Sequence, residues 1–177
     1  MENTEAQDIV ESVAKNSVVT KAYEKLNRKC VDMDVPRQLT LLETIESVLI
    51  SLKADSPDKT NQIAEAEQQI ESLRKDSIIG TLVPLKTTDM FLVQGLIAET
   101  AMKGKEMGFE MDVQLFIMTK AERCGTIYLS LRKRNNIEER YFKNQEEVLE
   151  VDDRVMQEIV KVYRDNFMLT EVERKNS

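Results

Sequence analysis

Phe109-Glu-Met-Asp-Val-Gln-Leu-Phe-Ile-Met-Thr119 is the part of this chain in which apolar and polar residues alternate most clearly. Successive side chains of a β-strand point to opposite faces, so the alternation predicts a half-buried strand. The residues predicted to share its apolar face are Phe109, Met111, Val113, Leu115 and Ile117. Phe116 and Met118 fall on the opposite, otherwise polar face, which predicts a partner-binding contact at that end of the sheet.

The segments on either side of this strand predict two helices. The first is predicted to have Thr87 or Thr88 as its cap and to end at Gly108, because glycine readily adopts the left-handed conformation that follows many helices. The second begins at Asp152 or Asp153, whose carboxylate can cap free backbone N–H groups. Its apolar residues recur at helical spacing and are Val155, Met156, Ile159, Val160, Tyr163 and Phe167.

Two further strands are predicted between these helices. Ile127, Leu129 and Leu131 alternate with polar residues and indicate a second strand. Asn135-Asn136 suits a tight turn and leads into a charged third strand over 137–143, which is typical of a sheet edge. The order α-β-β-β-α with an antiparallel meander resembles the double-stranded-RNA-binding domain in element order. That family has lysines at the start of its second helix, where this chain has Glu150-Val-Asp-Asp-Arg154, so the resemblance assigns no residues.

The N-terminal part of the chain predicts helices and a short connection. Glu5–Arg28 has apolar residues at helical spacing, and Cys30–Val35 is a polar link. Asp34 and Pro36 are predicted to begin a helix that runs to about Ala54, and Ser56-Pro57 to begin another. The last two helices form an αα-hairpin or a short coiled coil. Its apolar stripe consists of Leu42, Ile45, Leu49, Leu52, Ile63, Ile70 and Leu73. This stripe could pack inside the chain or bind a partner.

The predicted fold class is therefore α+β. Residues 1–77 are expected to form a helical region with the hairpin, and residues 78–170 the α-β-β-β-α domain. Residues 171–177 are expected to form a flexible tail. Ile78–Val83 at the junction is predicted as a short strand that Pro84 ends, because proline lacks a backbone N–H donor.

Composition excludes several kinds of chemistry. The 177 residues include no histidine and two cysteines, Cys30 and Cys124. Ser-His-Asp and Cys-His catalysis are therefore excluded, as are zinc sites with histidine ligands or with four thiolates of one chain. We expect no enzyme activity, no cofactor and no metal site. The cysteines are expected to be reduced, although a disulfide remains an alternative, and Arg123 beside Cys124 could lower the pKa of that thiol.

Charge and hydropathy narrow the expected partners and location. The formal net charge of −7 argues against general attraction to nucleic acid or to an anionic membrane. No apolar run reaches the roughly 20 residues of a membrane-spanning helix, and the acidic N-terminus does not resemble a signal peptide. These features predict an intracellular, cytoplasmic protein, with the nucleus as an open alternative.

The sequence favours a non-catalytic adaptor, chaperone-like or assembly protein. It would act as a homodimer or a complex subunit through the helical stripe, with Phe116 and Met118 as a second contact. The alternative is a nucleic-acid-associated protein that uses the basic hairpin rim formed by Arg132, Lys133 and Arg134. The competing interpretation of this rim is a solvated sheet edge, where charges prevent aggregation.

Overall fold

The structure is a computed structural model that describes residues 24–25, 28–56, 58–169 and 171–175. Its strands are β1 Val31–Pro36, β2 Ser77–Leu82, β3 Leu131–Lys133 and β4 Asn136–Arg140. Its longer helices are α1 Leu39–Asp55, α2 Thr60–Lys75, α3 Thr87–Glu106, α4 Met111–Ser130 and α6 Asp153–Phe167. Two helices of five residues each are α5 Gln145–Leu149 and α7 Glu171–Lys175. The predicted α+β class is confirmed.

The four strands form one antiparallel sheet in the order β1-β2-β3-β4. β1 pairs with β2 from Val31 opposite Leu82 to Pro36 opposite Ser77. The hairpin α1–α2 is the connection between these two strands, and the hairpin α3–α4 connects β2 to β3. The sheet therefore has meander order with a helical hairpin inserted at each of its first two connections.

The main core lies between the sheet and α6. The side chains of Val155, Met156 and Ile159 are fully buried in this helix, and they recur at the spacing of one helical face. Asp152 caps α6 by accepting hydrogen bonds from the backbone N–H groups of Arg154 at 2.8 Å and Val155 at 3.4 Å. The predicted closing helix and its cap are thus confirmed. Buried residues from the sheet and α4 complete the core, among them Met33, Val35, Ile78, Leu82, Ile127 and Leu131.

Glycines allow close packing in the hairpin α3–α4. Gly108 has φ +71° and follows α3, as predicted from the sequence. A Cβ atom at Gly104 would lie 3.0 Å from Ile117 Cδ1, and one at Gly125 would lie 3.3 Å from Val93 Cγ2. The two helices therefore approach closely at both ends of their contact.

The predicted strand Phe109–Thr119 is wrong, because Met111–Ser130 forms the single helix α4. In its first part, up to Thr119, only Gln114, Ile117 and Met118 are partly buried, which is the spacing of one helical face, and from Lys120 onward every residue of the helix is at least partly buried. Glycines on the facing surfaces let α4 pack closely on α3, and methionine, leucine and glutamine all favour helix. The packing of α4 on α3 thus outweighs the local alternation of apolar and polar residues, which by itself favours a strand.

Three further local predictions are corrected. The second strand was placed at Ile127–Leu131, but α4 continues through Ser130, and every residue from 124 to 131 except Tyr128 is buried. Such a run lacks the polar side that would distinguish a helix from a strand. Cys30–Val35 is not a link, because Met33 and Val35 are buried in β1. Asp34 and Pro36 therefore lie in a strand and do not begin a helix.

The helical starts and the ends of the chain also differ in detail. α2 begins at Thr60, after Ser56, and α3 has Lys86 as its N-cap residue. The boundary predicted between residues 77 and 78 lies inside β2, whose partner β1 belongs to the first predicted region. Residues 171–175 of the predicted tail are helical. Most of the predicted helix Glu5–Arg28, together with Pro57, lies outside the described residues.

Candidate protein-binding surface

The hairpin α3–α4 carries an unusual share of exposed apolar side chains. Among the described residues, sixteen large hydrophobic side chains are exposed, and nine of them lie on this hairpin or its connection. The nine are Met90, Phe91, Leu92, Met102, Met107, Met111, Val113, Leu115 and Phe116. Single exposed apolar residues are normal on protein surfaces, whereas a concentration on one element indicates an interaction site.

The distal half of the hairpin contributes most of this surface. Between residues 98 and 120 Gly104 alone is buried, whereas α4 becomes buried from Cys124 onward, where it packs on α5 and α6. Met111 is 70% exposed and Phe116 is 60% exposed in this distal half. We define the hairpin tip as Met107, Met111, Val113, Leu115 and Phe116. The tip thus has little contact with the rest of the described chain.

The outer face of α3 continues the apolar surface toward the sheet. Phe91, Gly95, Ala98 and Met102 are all exposed and are spaced by four, three and four residues, so they share one helical face. Val93 and Gly104, which face α4, lie on the opposite side of the helix. We call these four residues the outer stripe.

Gly95 has an open surface at the centre of the outer stripe. A Cβ atom at this position would have no neighbouring heavy atom within 4 Å among the described residues. Glycine in a helix interior costs about 1 kcal/mol of stability relative to alanine. The described chain therefore offers no packing reason for glycine here.

A groove of about 570 Å³ runs beside the outer stripe. Phe91 and Leu92 line it from α3, and Tyr128 and Arg140 line it from α4 and β4. The Arg140 guanidinium lies 4.4 Å from the centre of the Tyr128 ring and donates a hydrogen bond of 2.7 Å to Tyr128 Oη. This contact holds the Arg140 side chain in place, so the wall of the groove opposite α3 carries a positive charge.

The predicted stripe of the hairpin α1–α2 lies largely between its own helices. Leu42 and Ile70 are 5% and 8% exposed. The remaining members are half-buried and are Ile45, Leu49, Leu52, Ile63 and Leu73. Since α1 and α2 pack on each other and on β1, this arrangement favours internal packing of the stripe.

Phe116 and Met118 lie on α4 and not on a sheet face as predicted. Phe116 belongs to the exposed hairpin tip, whereas Met118 is half-buried. The sequence therefore pointed to one residue of the exposed surface for an incorrect structural reason. The residues that were missed are those of the outer stripe and the tip residues Met107, Met111, Val113 and Leu115, three of which were predicted on the apolar face of a strand. The 4-3-4 spacing was the available signal for the outer stripe.

The residues of the basic hairpin rim have partners within the chain. Arg132 donates a hydrogen bond of 2.8 Å to a backbone carbonyl oxygen. Lys133 pairs with Glu139, and Arg134 Nη2 lies 3.1 Å from a carboxylate oxygen of Asp32. These contacts favour the interpretation of the rim as solvated surface charge, but not at a sheet edge, because Arg132 and Lys133 lie on β3, which pairs with both β2 and β4.

The carboxylate of Asp32 is held in its charged form. The Thr81 hydroxyl donates a hydrogen bond of 2.7 Å to Asp32 and, with the hydrogen bond from Arg134, lowers the pKa of the carboxyl group. Asp32 therefore remains a partner for Arg134 at neutral pH, which reduces the positive charge that the rim presents to a phosphate.

Cys124 is buried, whereas Cys30 is exposed, and both are free thiols. Burial, with a smaller effect of the Glu146 charge, raises the pKa of Cys124 to about 11. The predicted lowering of this pKa by Arg123 is therefore wrong. Arg123 instead pairs with Asp153, with 3.1 Å between Nη1 and Oδ1.

We expect native Cys124 to resist alkylation at pH 8 while Cys30 reacts. The thiolate is the nucleophile, and a pKa of about 11 leaves on the order of one Cys124 thiol in a thousand ionised at this pH. Peptide mass spectrometry after a timed reaction would measure both sites, and protein unfolded in urea is the control in which both react. Equal labelling of both cysteines in the native protein would contradict this placement of Cys124.

Other kinds of site find no support in the described part of the chain. Within residues 24–25, 28–56, 58–169 and 171–175, no three acidic or cysteine side chains are grouped so that they could hold a metal ion. No helix among these residues is long and apolar enough to cross a membrane. Comparison with protein-family models, curated proteins and solved structures found no significant match.

Proposed function

We propose that this chain is a non-catalytic intracellular assembly protein that binds protein through the exposed apolar surface of the hairpin α3–α4. One observation carries the proposal, namely the concentration of nine exposed large apolar side chains on this element. Burying one such side chain contributes about 1.5–3 kcal/mol, so a partner that covered several would gain substantial affinity. An adaptor or complex subunit is the type of protein that this surface suits.

The composition of the distal half of the hairpin α3–α4 supports protein as the ligand. Met102, Met107 and Met111 are all exposed in the distal half. Methionine is flexible and polarizable, and it is common on surfaces that adapt to apolar partners. The nearby charged residues include both signs, among them Lys105, Glu106 and Glu110. This mixture suits a polar rim around an apolar contact and gives no attraction to phosphate.

A pull-down with tagged full-length chain tests the proposal. We expect a defined set of bound proteins other than the chain itself to be lost when Leu115→Glu and Phe116→Glu are combined. Val48→Glu combined with Ile50→Glu is the matched control, because both residues are exposed apolar residues of another helix, α1. Circular dichroism would show that both variants are folded.

The deciding comparison is between the proteins recovered by the tip variant and those recovered by the control variant of α1. Loss of the same bound proteins in the tip variant alone supports the proposal. Equal recovery by wild type and both variants, or no bound protein under any condition, would overturn it. Bound proteins lost equally in both variants would place the contact elsewhere and would also overturn it.

A further inference from the structure

We infer that the outer stripe of α3 binds a second copy of this chain, with the two α3 helices antiparallel. In this pairing Phe91 of each copy lies beside Met102 of the other, and Gly95 lies beside Ala98. The inference rests on the proposed function in that it names the chain itself as one protein partner. It assigns that partner to α3 and leaves the hairpin tip for further contacts.

The outer stripe has the spacing of a helix-pairing seam. Its 4-3-4 pattern matches the alternating spacing of residues that interlock between paired helices. Phe91 is 72% exposed and Met102 is 65% exposed, although both lie on a helix whose opposite side is packed against α4. No described element covers the outer stripe, so its two large side chains and the small residues between them are free to pack against a further helix.

Gly95 is the second observation that points to close approach from outside. Glycine is the poorest residue in a helix interior after proline, and nothing in the described chain contacts this position. Small residues at the centre of a seam let two helix backbones approach each other. Ala98, one turn further along, offers a similarly small surface. Gly95 and Ala98 thus form a shallow depression on the helix surface between the large side chains of Phe91 and Met102.

The stripe is complementary to itself in the antiparallel direction. A pattern of large, small, small and large at 4-3-4 spacing reads the same from either end, so a two-fold axis can relate two copies. Each large side chain then meets a large one and each small residue meets a small one. A parallel arrangement would give the same layers of large and small residues, but it would place Glu99 level with Glu99 and Lys103 level with Lys103 of the other copy, so like charges would meet.

The charges of α3 are compatible with this register. Glu99 and Lys103 form an ion pair of 2.6 Å within one helix. The charged residues Glu99, Lys103, Lys105 and Glu106 are level with Gln94, Met90, Thr88 and Thr87 of the second copy. No like charges therefore meet across the seam. The antiparallel direction also places the positive end of each helix dipole near the negative end of the other.

The available area predicts a reversible dimer. A helix of 20 residues is about 30 Å long, so one face of α3 with its flanking residues offers on the order of 500 Å² per copy. Stable complexes bury about 800 Å² per partner. We therefore expect self-association in the micromolar range, measurable by sedimentation equilibrium.

Gly95→Leu is the decisive variant, because it separates folding from pairing. Leucine suits a helix better than glycine and meets open space in the single chain, so the melting temperature should not fall. In the dimer the leucine side chain would fill the depression at Gly95 and Ala98 and would keep the two helices apart. We therefore expect the dissociation constant of the dimer to rise at least tenfold. Glu65→Leu on the exposed surface of α2 is the matched control and should leave the dissociation constant unchanged.

Disulfide trapping tests the direction of the pairing. In a Cys30→Ser background, a mixture of the Gly95→Cys and Ala98→Cys variants should form a cross-linked dimer much faster than either variant alone. Efficient cross-linking of each single variant, with no gain in the mixture, would show a parallel pairing and overturn the antiparallel register. Buried Cys124 stays in all samples as a constant background.

The outcomes distinguish this inference from the proposed function. A wild-type monomer at 100 μM, or a dimer that Gly95→Leu leaves unchanged, overturns the inference. If the pull-down still depends on Leu115 and Phe116 in that case, the proposed function stands alone. A dimer weakened by Gly95→Leu but not by Glu65→Leu, with mixed disulfides favoured, supports the inference.

Discussion

Replacing Ile159 by alanine is expected to lower the free energy of unfolding by about 2–5 kcal/mol. Ile159 is fully buried on the face of α6 that packs against the sheet. Alanine would remove three carbon atoms and leave a cavity whose walls, on the sheet and α4, are held by several elements. This loss is a large fraction of the 5–15 kcal/mol that is typical of a folded domain.

Urea unfolding followed by circular dichroism would measure this change. Lys161→Ala is the matched control, because Lys161 is exposed on the same helix and its contact with Glu158 is a surface ion pair. Its effect should stay within about 0.5 kcal/mol. A loss below about 1 kcal/mol for Ile159→Ala would show that α6 is not the centre of the core.

Gly80→Ala and Gly95→Ala are expected to change stability in opposite directions. A Cβ atom at Gly80 would lie 2.8 Å from Leu131 Cδ1 and 2.9 Å from the carbonyl oxygen of Arg132. The side chain can move, but the carbonyl belongs to the strand paired with β2, so the sheet must shift. We expect a loss of about 1–3 kcal/mol, which is typical of overpacking.

The same substitution at Gly95 meets no neighbour and should raise stability by up to about 1 kcal/mol. Because one methyl group is added in both variants, the difference reports the space around each glycine together with the helix propensity that alanine gains only at Gly95. Measurements at concentrations below the expected dimer range keep association out of the comparison. A gain in stability at Gly80 would contradict the pairing of β2 with β3 described above.

Local sequence patterns predicted the secondary structure correctly where one element has a single apolar face and its own signals for where it begins or ends. The closing helix α6, with Asp152 as its cap and five buried residues on one face, is of this kind. The hairpin α1–α2 was predicted from its apolar stripe, although its helices do not begin at the predicted caps, and the glycine that ends α3 was predicted from its conformational freedom. In each case the deciding interactions lie within a few residues along the chain.

Patterns failed where partners distant in sequence decide the structure. β1 is a short strand whose six residues pair with β2, more than forty positions away. α4 contains a local alternation that favours a strand, and its packing against α3 overrides this preference. A sequence window of about ten residues around β1 does not include β2, and one around the predicted strand in α4 does not include the residues of α3 that pack on it.

The candidate surface was predicted only in part for a similar reason. Phe116 was singled out because it interrupted an alternation, whereas the exposure of Phe91 and Met102 depends on which side of α3 faces α4. In the sequence these residues look like core positions of an apolar helix. Only the packing of the hairpin shows that its outer face is left uncovered by the described chain.

Site-specific photo-crosslinking in cells that express the chain would show directly whether the hairpin tip binds protein. A photoreactive amino acid would replace Met111 on the hairpin tip in one sample and Ile50 on α1 in another. Both positions are 70% exposed, so solvent access does not distinguish them. We expect discrete adducts of other proteins from Met111 and none of these from Ile50. No adduct from Met111, or the same adducts from both positions, would contradict this expectation.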